Sequence, residues 1–238
     1  MSLSMTDVSS GYGAAQALFD VSLRVEEGQI VTILGLNGAG KTTTLRTVSG
    51  LIPTWAGRVA FYDRELRAHS PEARARMGLA HVPEGRGILT GLTVHENLVL
   101  GVARRGDRKR VRTMCEQLLD IFPDLTPRLG EPASALSGGQ QQMLALARAL
   151  MPEPSLVMID ELSFGLSPIM VDHFYQLVSR LRDEGTSFLI VEQNPAILAV
   201  ADRAYVLTRG RVTFETDTPS LLDAASVQAQ YFSGVNPE

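Results

Sequence analysis

The residues best equipped for chemistry fall in one stretch, Gly35–Thr43, spelled GLNGAGKTT. Its Gly-x4-Gly-Lys-Thr spacing lies between an apolar run, Ile30–Leu34, and a helix-like run, Lys41–Ser49. That is the setting of a phosphate loop between a strand and a helix. Glycines let successive backbone N–H groups turn inward around an anion, and the helix start adds its positive end. Asn37, Gly38, Ala39, Gly40, Lys41, Thr42 and Thr43 are therefore the expected phosphate-binding set. Lys41 reaches toward the β- and γ-phosphates of a nucleoside triphosphate, and the Thr42 hydroxyl can face Mg²⁺. Of 22 Lys+Arg residues only Lys41 and Lys109 are lysines. A chain that otherwise uses arginine keeps a compact, flexible ammonium here, where a planar fork fits poorly.

A second group builds on the first. Leu156–Asp160 (LVMID) is a short apolar run ending in Asp160 and Glu161. An open α/β sheet places catalytic groups at the C-terminal ends of its parallel strands. Asp160 is accordingly the candidate for Mg²⁺, directly or through water, and Glu161 for polarising an attacking water. Without the phosphate loop the same two acids are ordinary strand-end carboxylates.

These groups need a scaffold, and the chain spells one. Before the loop, Val21, Leu23 and Val25 alternate with Ser22, Arg24 and Glu26, so Met1–Gly28 reads as antiparallel strands. Gly57–Asp63 repeats that half-buried pattern, and Met77–Val82 reads as a buried strand ended by Pro83. Thr93–Leu100 and Val111–Phe122 look helical, the latter with Val111, Met114, Leu118, Leu119 and Phe122 on one face. The charge run 103–110 between them reads as a solvated loop, and Pro123, Pro127, Gly130 and Pro132 break the helical pattern after Phe122. Ser137 and Gln140 have the spacing of a capping box, and two glycines expose amides at that second helix start. Ser167-Pro168 opens another helix, with Met170, Val171, Phe174, Leu177, Val178 and Leu181 on its inner face. Phe188–Val191 is a further buried strand, and Tyr205–Thr208 with Val212–Phe214 form a terminal hairpin.

Composition narrows the classes. A chain of 238 residues with 45% hydrophobic residues fits one large α/β domain. A net charge of −4 and 6% aromatics argue against a nucleic-acid surface. Cys115 is the only cysteine, so no intrachain disulfide forms. It reads as structural, as do His81 and Trp55. The N-terminus lacks the basic and apolar regions of a secretory signal. No apolar run approaches the ~18 residues of a membrane span.

The ordered set of motifs resembles an ATP-binding-cassette (ABC) ATPase over about residues 3–232. Leu136-Ser137-Gly138-Gly139-Gln140 matches that family's signature, Gly35–Thr43 its Walker A loop, and Val157–Glu161 its Walker B strand and catalytic glutamate. The resemblance implies a phosphate-loop NTPase (RecA-like) α/β core with an antiparallel β subdomain and a small helical subdomain. The whole chain would be one cassette, with residues 90–135 as the helical insertion. Tyr12, which by pattern alone reads as loop packing, would be the adenine-stacking aromatic. Three spellings refine the match. Glu84 stands where most cassettes carry the Q-loop glutamine, and Gln193 where most carry the switch histidine. Leu162 and Ser167 replace a usual proline and the D-loop aspartate. The first two spellings are similar to the LivF-type subunit of branched-chain amino acid importers. Glu84, acceptor-only when ionised, can still help position Mg²⁺ or water. Gln193 can hydrogen-bond a γ-phosphate or water but cannot titrate.

The resemblance further implies Mg²⁺-dependent ATP hydrolysis in a head-to-tail sandwich. ATP on one subunit's loop would meet Ser137, Gly139 and Gln140 of another, either a related LivG-like cassette or a second copy. Such a pair would sit on the cytoplasmic face of the inner membrane, bound to transmembrane permeases. A periplasmic or extracellular solute-binding protein would supply a branched-chain or related amino acid. An importer of urea, amides or another small solute, a cassette from DNA repair or translation, and a purely regulatory nucleotide binder are the alternatives.

Overall fold

The computed structural model describes residues 1–102, 108–161 and 163–219. Leu162 and most of the charge run, residues 103–107, lie outside the described residues. The chain opens with β1 (Leu3–Tyr12) and β2 (Ala15–Val25), followed by β3 (Ile30–Leu34) and α1 (Lys41–Ser49). Then come β4 (Thr54–Phe61), β5 (Arg64–Glu65), α2 (Pro71–Arg76) and β6 (Leu79–Val82). Three helices come next, α3 (Val94–Leu100), α4 (Arg108–Ile121) and α5 (Gly138–Leu150), with short 3-10 turns between the last two. The chain then returns to the sheet through β7 (Leu156–Asp160), α6 (Pro168–Asp183) and β8 (Ser187–Glu192). The hairpin of β9 (Arg203–Thr208) and β10 (Arg211–Thr216) completes the described elements.

Two sheets result. One is four-stranded and antiparallel, in the order β2-β1-β4-β5, and the other six-stranded, in the order β10-β9-β3-β8-β7-β6. In the second, β9, β3, β8, β7 and β6 run parallel and only β10 is antiparallel. Period-2 alternation divides the interior. Ile30 and Leu34 of β3, with Val157 and Ile159 of β7, enter a core shared with α4, α5 and α6. Val31 and Ile33, with Leu156 and Met158, enter a second core shared with the antiparallel sheet and α1. Strands buried on both faces read as continuous apolar runs, which is why β3, β7 and β8 are visible in the sequence.

The helix boundaries reflect local chemistry. Ser137 Oγ accepts from Gln140 N, and Gln140 Oε1 accepts from Ser137 N, closing the capping box expected there. Thr93 and Glu96 form a second box that starts α3. Ser167 caps α6 by accepting from Met170 N. Strand β6 begins at Leu79 rather than Met77, because Met77 caps α2 and Gly78 adopts φ +103°. Cys115 is buried within α4. Among the described residues, no helix is long and apolar enough to cross a membrane.

Candidate active site

The strand order brings the predicted chemistry together. Reading across β3, β8, β7 and β6, the carboxyl ends deliver, in turn, the phosphate loop, Gln193, Asp160 with Glu161, and the turn carrying Glu84. These groups come from positions far apart in sequence but from adjacent strands, on one rim of one sheet. A cavity of about 490 Å³ opens there.

The loop is built for an anion. Gly38 (φ +78°) and Gly40 (φ +106°) adopt left-handed conformations, which a side chain resists. At Gly40 a Cβ would also lie 2.9 Å from Leu18. Helix α1 starts at Gly40 without a side-chain cap. The amides of residues 38 and 40–43 donate to no carbonyl among the described residues, as expected of an uncapped helix start, and Gly38 and residues 40–43 line the cavity. Gly210 N donates to Ala39 O at 2.8 Å, so the β9–β10 turn braces the loop from behind.

Lys41 is 5% exposed. Its Nζ donates to the carbonyls of Gly35 (2.8 Å) and Leu36 (3.2 Å) and lies 3.4 Å from Glu161 Oε1. Glu161 Oε1 also accepts from Gln193 Nε2 at 3.0 Å, and Gln193 reaches Asn37 Oδ1. Glu161 adopts φ +53°, a left-handed conformation for a non-glycine residue, which costs about 1–3 kcal/mol and persists only where its surroundings enforce it. Its amide is tied to Val191 O at 3.0 Å. Thr42 Oγ1 donates to Asp160 Oδ1 at 3.1 Å. Asp160 is 2% exposed, and burial pushes its carboxyl up to about 6, with Glu84 and Glu161 adding to the rise and Thr42 opposing it.

Asn37, Gly38, Gly40, Lys41, Thr42, Thr43, Glu84 and Glu161 line the cavity. Ala39, Asp160 and Gln193 join through the bonds just described. Tyr12 is not among the lining residues. It lies at the end of β1, 43% exposed, its hydroxyl accepting from Arg46 Nη1. Ser137, Gly139 and Gln140 are likewise not brought to this cavity. They form the start of α5, where a Cβ at Gly139 would lie 2.7 Å from Met170 Cε.

Sequence patterns do not reveal the part of the cavity wall made by Gln16, Ala17 and Phe19 of β2 and by Arg209. Nothing in β2 announces it. The wall exists because Phe19 N donates to Gly210 O at 2.8 Å, and the Arg211 guanidinium stacks 5.1 Å over the Phe19 ring. The Arg209-Gly210 turn is legible in the sequence, but not its position beside the loop.

The same architecture recurs in known proteins. The family model described as ABC transporter matches residues 18–163. The chain is 41% identical to the high-affinity branched-chain amino acid transport ATP-binding protein BraG of Pseudomonas aeruginosa, over 98% of this chain and 100% of that one. It is 34% identical to a probable branched-chain amino acid transport ATP-binding protein LivF of Archaeoglobus fulgidus, over 91% and 92% of the two chains. A solved ATP-binding cassette of an ABC transporter in its ADP conformation superposes with a TM-score of 0.85, at 25% identity over 98% of both chains. The matched residues hold both the phosphate loop and Asp160-Glu161, and two relatives above 30% identity span more than nine-tenths of the chain: this chain belongs to the ABC transporter family of ATP-binding cassettes.

Proposed function

We propose that the protein is the ATP-hydrolysing subunit of an importer for branched-chain or related hydrophobic amino acids. The observation that carries the reading is the continuous set of contacts joining Asn37, Gln193, Glu161 and Lys41, beside the Thr42–Asp160 pair, on one rim of the sheet. The names of the two relatives point to the amino-acid class.

Each residue has a task. The free amides of residues 38 and 40–43 and the Lys41 ammonium hold the phosphates. A nucleotide offers Lys41 oxygens in place of the Glu161 carboxylate. Glu161, released from that pair but still held by Gln193, orients a water in line with the γ-phosphate and takes up its proton. Gln193 positions but does not titrate. Tyr12, outside the cavity lining at the exposed end of β1, would pack against the adenine of a bound nucleotide.

The donor set fits Mg²⁺. Among the described residues no cluster of three or more His, Cys, Asp or Glu side chains could hold a metal alone. Mg²⁺ takes one or two protein oxygens and fills its shell with phosphate and water, and the Thr42 hydroxyl with the buried Asp160 carboxylate supplies that number. Glu84 lies within reach of their field. Bound there, the ion would neutralise charge on the phosphates.

Ser137, Gly139 and Gln140 make a second anion-facing helix start that this cavity does not use. A second cassette, a like copy or a related chain, would bring its own to complete the site, so that ATP joins two subunits. Transmembrane permeases would dock the pair on the cytoplasmic side of the membrane, and a solute-binding protein outside would deliver the cargo. The test is Mg²⁺-dependent ATPase activity and leucine uptake in the assembled transporter, wild type against Glu161→Gln. Both should be lost in the variant. Unimpaired turnover would refute the role of Glu161, and ATPase activity indifferent to leucine, isoleucine and valine would refute the cargo.

A further inference from the structure

Glu192 closes β8 between Val191 and Gln193 and has no part in the tasks above. It is 1% exposed. A buried carboxylate is costly unless its oxygens are satisfied, and Glu192 forms no ion pair among the described residues. Ser163 bonds to both oxygens, and the backbone N–H groups of Asn194 and Gln193 also favour the charged form. Oε1 accepts from Ser163 N at 2.8 Å, and Oε2 accepts from Ser163 Oγ at 2.7 Å. Burial pushes the Glu192 carboxyl up, and the bonds from Ser163 and from the backbone of Asn194 and Gln193 draw it part of the way back.

Ser163 stands two residues beyond Glu161, where the chain leaves the sheet. Three consecutive residues at the β8 end therefore bond to Glu161 and Ser163. Val191 O holds Glu161 N, the Glu192 carboxylate holds Ser163, and the Gln193 amide holds the Glu161 carboxylate. Glu161 itself keeps a left-handed backbone, φ +53°. Such a conformation persists only when the structure around it over-determines it.

We infer that Glu192 is a positioning residue for hydrolysis: its two bonds pin Ser163, two residues from Glu161, and so help set the aim of the Glu161 carboxylate. The inference rests on the role proposed for Glu161. It also assigns a reason for an acid here. Only a carboxylate accepts an N–H on one oxygen and an O–H on the other. A glutamine can keep the place, accepting from Ser163 N and donating to Ser163 Oγ, whereas an alanine cannot.

The test uses steady-state ATP hydrolysis by the assembled transporter, with Glu161→Gln as the reference for lost chemistry. Glu192→Ala should lower kcat about 10- to 100-fold, the scale of a misplaced catalytic group, with KM for ATP changed less than about 3-fold because the phosphate loop is untouched. Glu192→Gln should recover most of that loss. If Glu161→Gln is inactive while Glu192→Ala turns over normally, the inference is overturned and the role of Glu161 stands. If Glu161→Gln remains active, both fall. Equal losses in Glu192→Ala and Glu192→Gln, with KM raised in each, would mark a general packing role and also overturn it. Should Glu192→Ala fail to fold, Ser163→Ala decides: a drop in kcat of about 10-fold at constant KM supports the inference, and an unchanged kcat overturns it.

Discussion

Replacing Asp160 by asparagine is expected to make the metal-free, nucleotide-free protein more stable while ending its turnover. The carboxyl is 2% exposed and rises from 3.8 to about 6, chiefly through burial. For an acid whose folded value lies above its unfolded one, the folded state holds the extra proton between those two values. Stability from this group is therefore highest below pH ~4, declines as pH rises to ~6, and stays reduced above it. A rise of about two units at about 1.4 kcal/mol each puts the cost of the ionised carboxylate near 3 kcal/mol at pH 8. Asparagine removes that charge and keeps an oxygen for the Thr42 hydroxyl. For a chain of this size, about 3 kcal/mol corresponds to a rise in Tm of about 6–12 °C. The assay is thermal and urea unfolding of both proteins in chelator-containing buffer at pH 8 and pH 4. The variant's advantage should be large at pH 8 and vanish near pH 4. An advantage that is absent at pH 8, or that does not depend on pH, would refute the claim that Asp160 is held at a cost in readiness for a cation.

Other parts of the structure lead to three further expected outcomes. His81 is pushed down to about 4, first by burial and then by the Arg46 charge, and its Nε2 has no partner. Its contribution is full above pH ~6.5 and is lost as pH falls toward ~4, so His81→Leu should remove about 2 kcal/mol of the stability difference between pH 7 and pH 5 in urea titrations; an unchanged difference would count against it. The Arg74 guanidinium, 5% exposed, donates to the carbonyls of Thr47, Val48, Leu66 and His69. Arg74→Met leaves those acceptors buried and should cost about 3 kcal/mol or more in urea unfolding, and a loss under about 1 kcal/mol would contradict that account. Ser137→Ala removes the α5 cap at a cost of about 1 kcal/mol; ATPase activity should fall about 10-fold or more, beyond what that loss explains, if Ser137 also meets a partner's phosphate.

The local elements are legible because their causes are local. Two-sided burial gives β3, β7 and β8 unbroken apolar runs, and glycine with lysine at fixed spacing marks the loop. Ser137 with Gln140, and Ser167 with Pro168, mark helix starts through bonds spanning three or four residues. The site is legible as a list, since Lys41, Thr42, Asp160 and Glu161 each stand at a recognisable strand end or helix start. Its walls are not. Phe19, Ala17 and Gln16 belong to a strand whose spelling is ordinary, and their place beside the loop depends on a backbone bond from Phe19 to Gly210.

The sequence by itself determined most of the strands and the longer helices, though not β5 or α2, as well as the phosphate loop after β3 and the acids that stand ready for a metal and a water. Each of these is set by side-chain period, turn chemistry or residue type within a short window. Tertiary structure alone decided that β8 inserts between β3 and β7. That order sets Gln193 between Asn37 and Glu161 and leaves Asp160 under Thr42. It also turned Glu192, one more residue at a strand end, into the group that holds Ser163. Those contacts span 29 to 156 residues of chain, and no local pattern records a distance that only the packed sheet makes short.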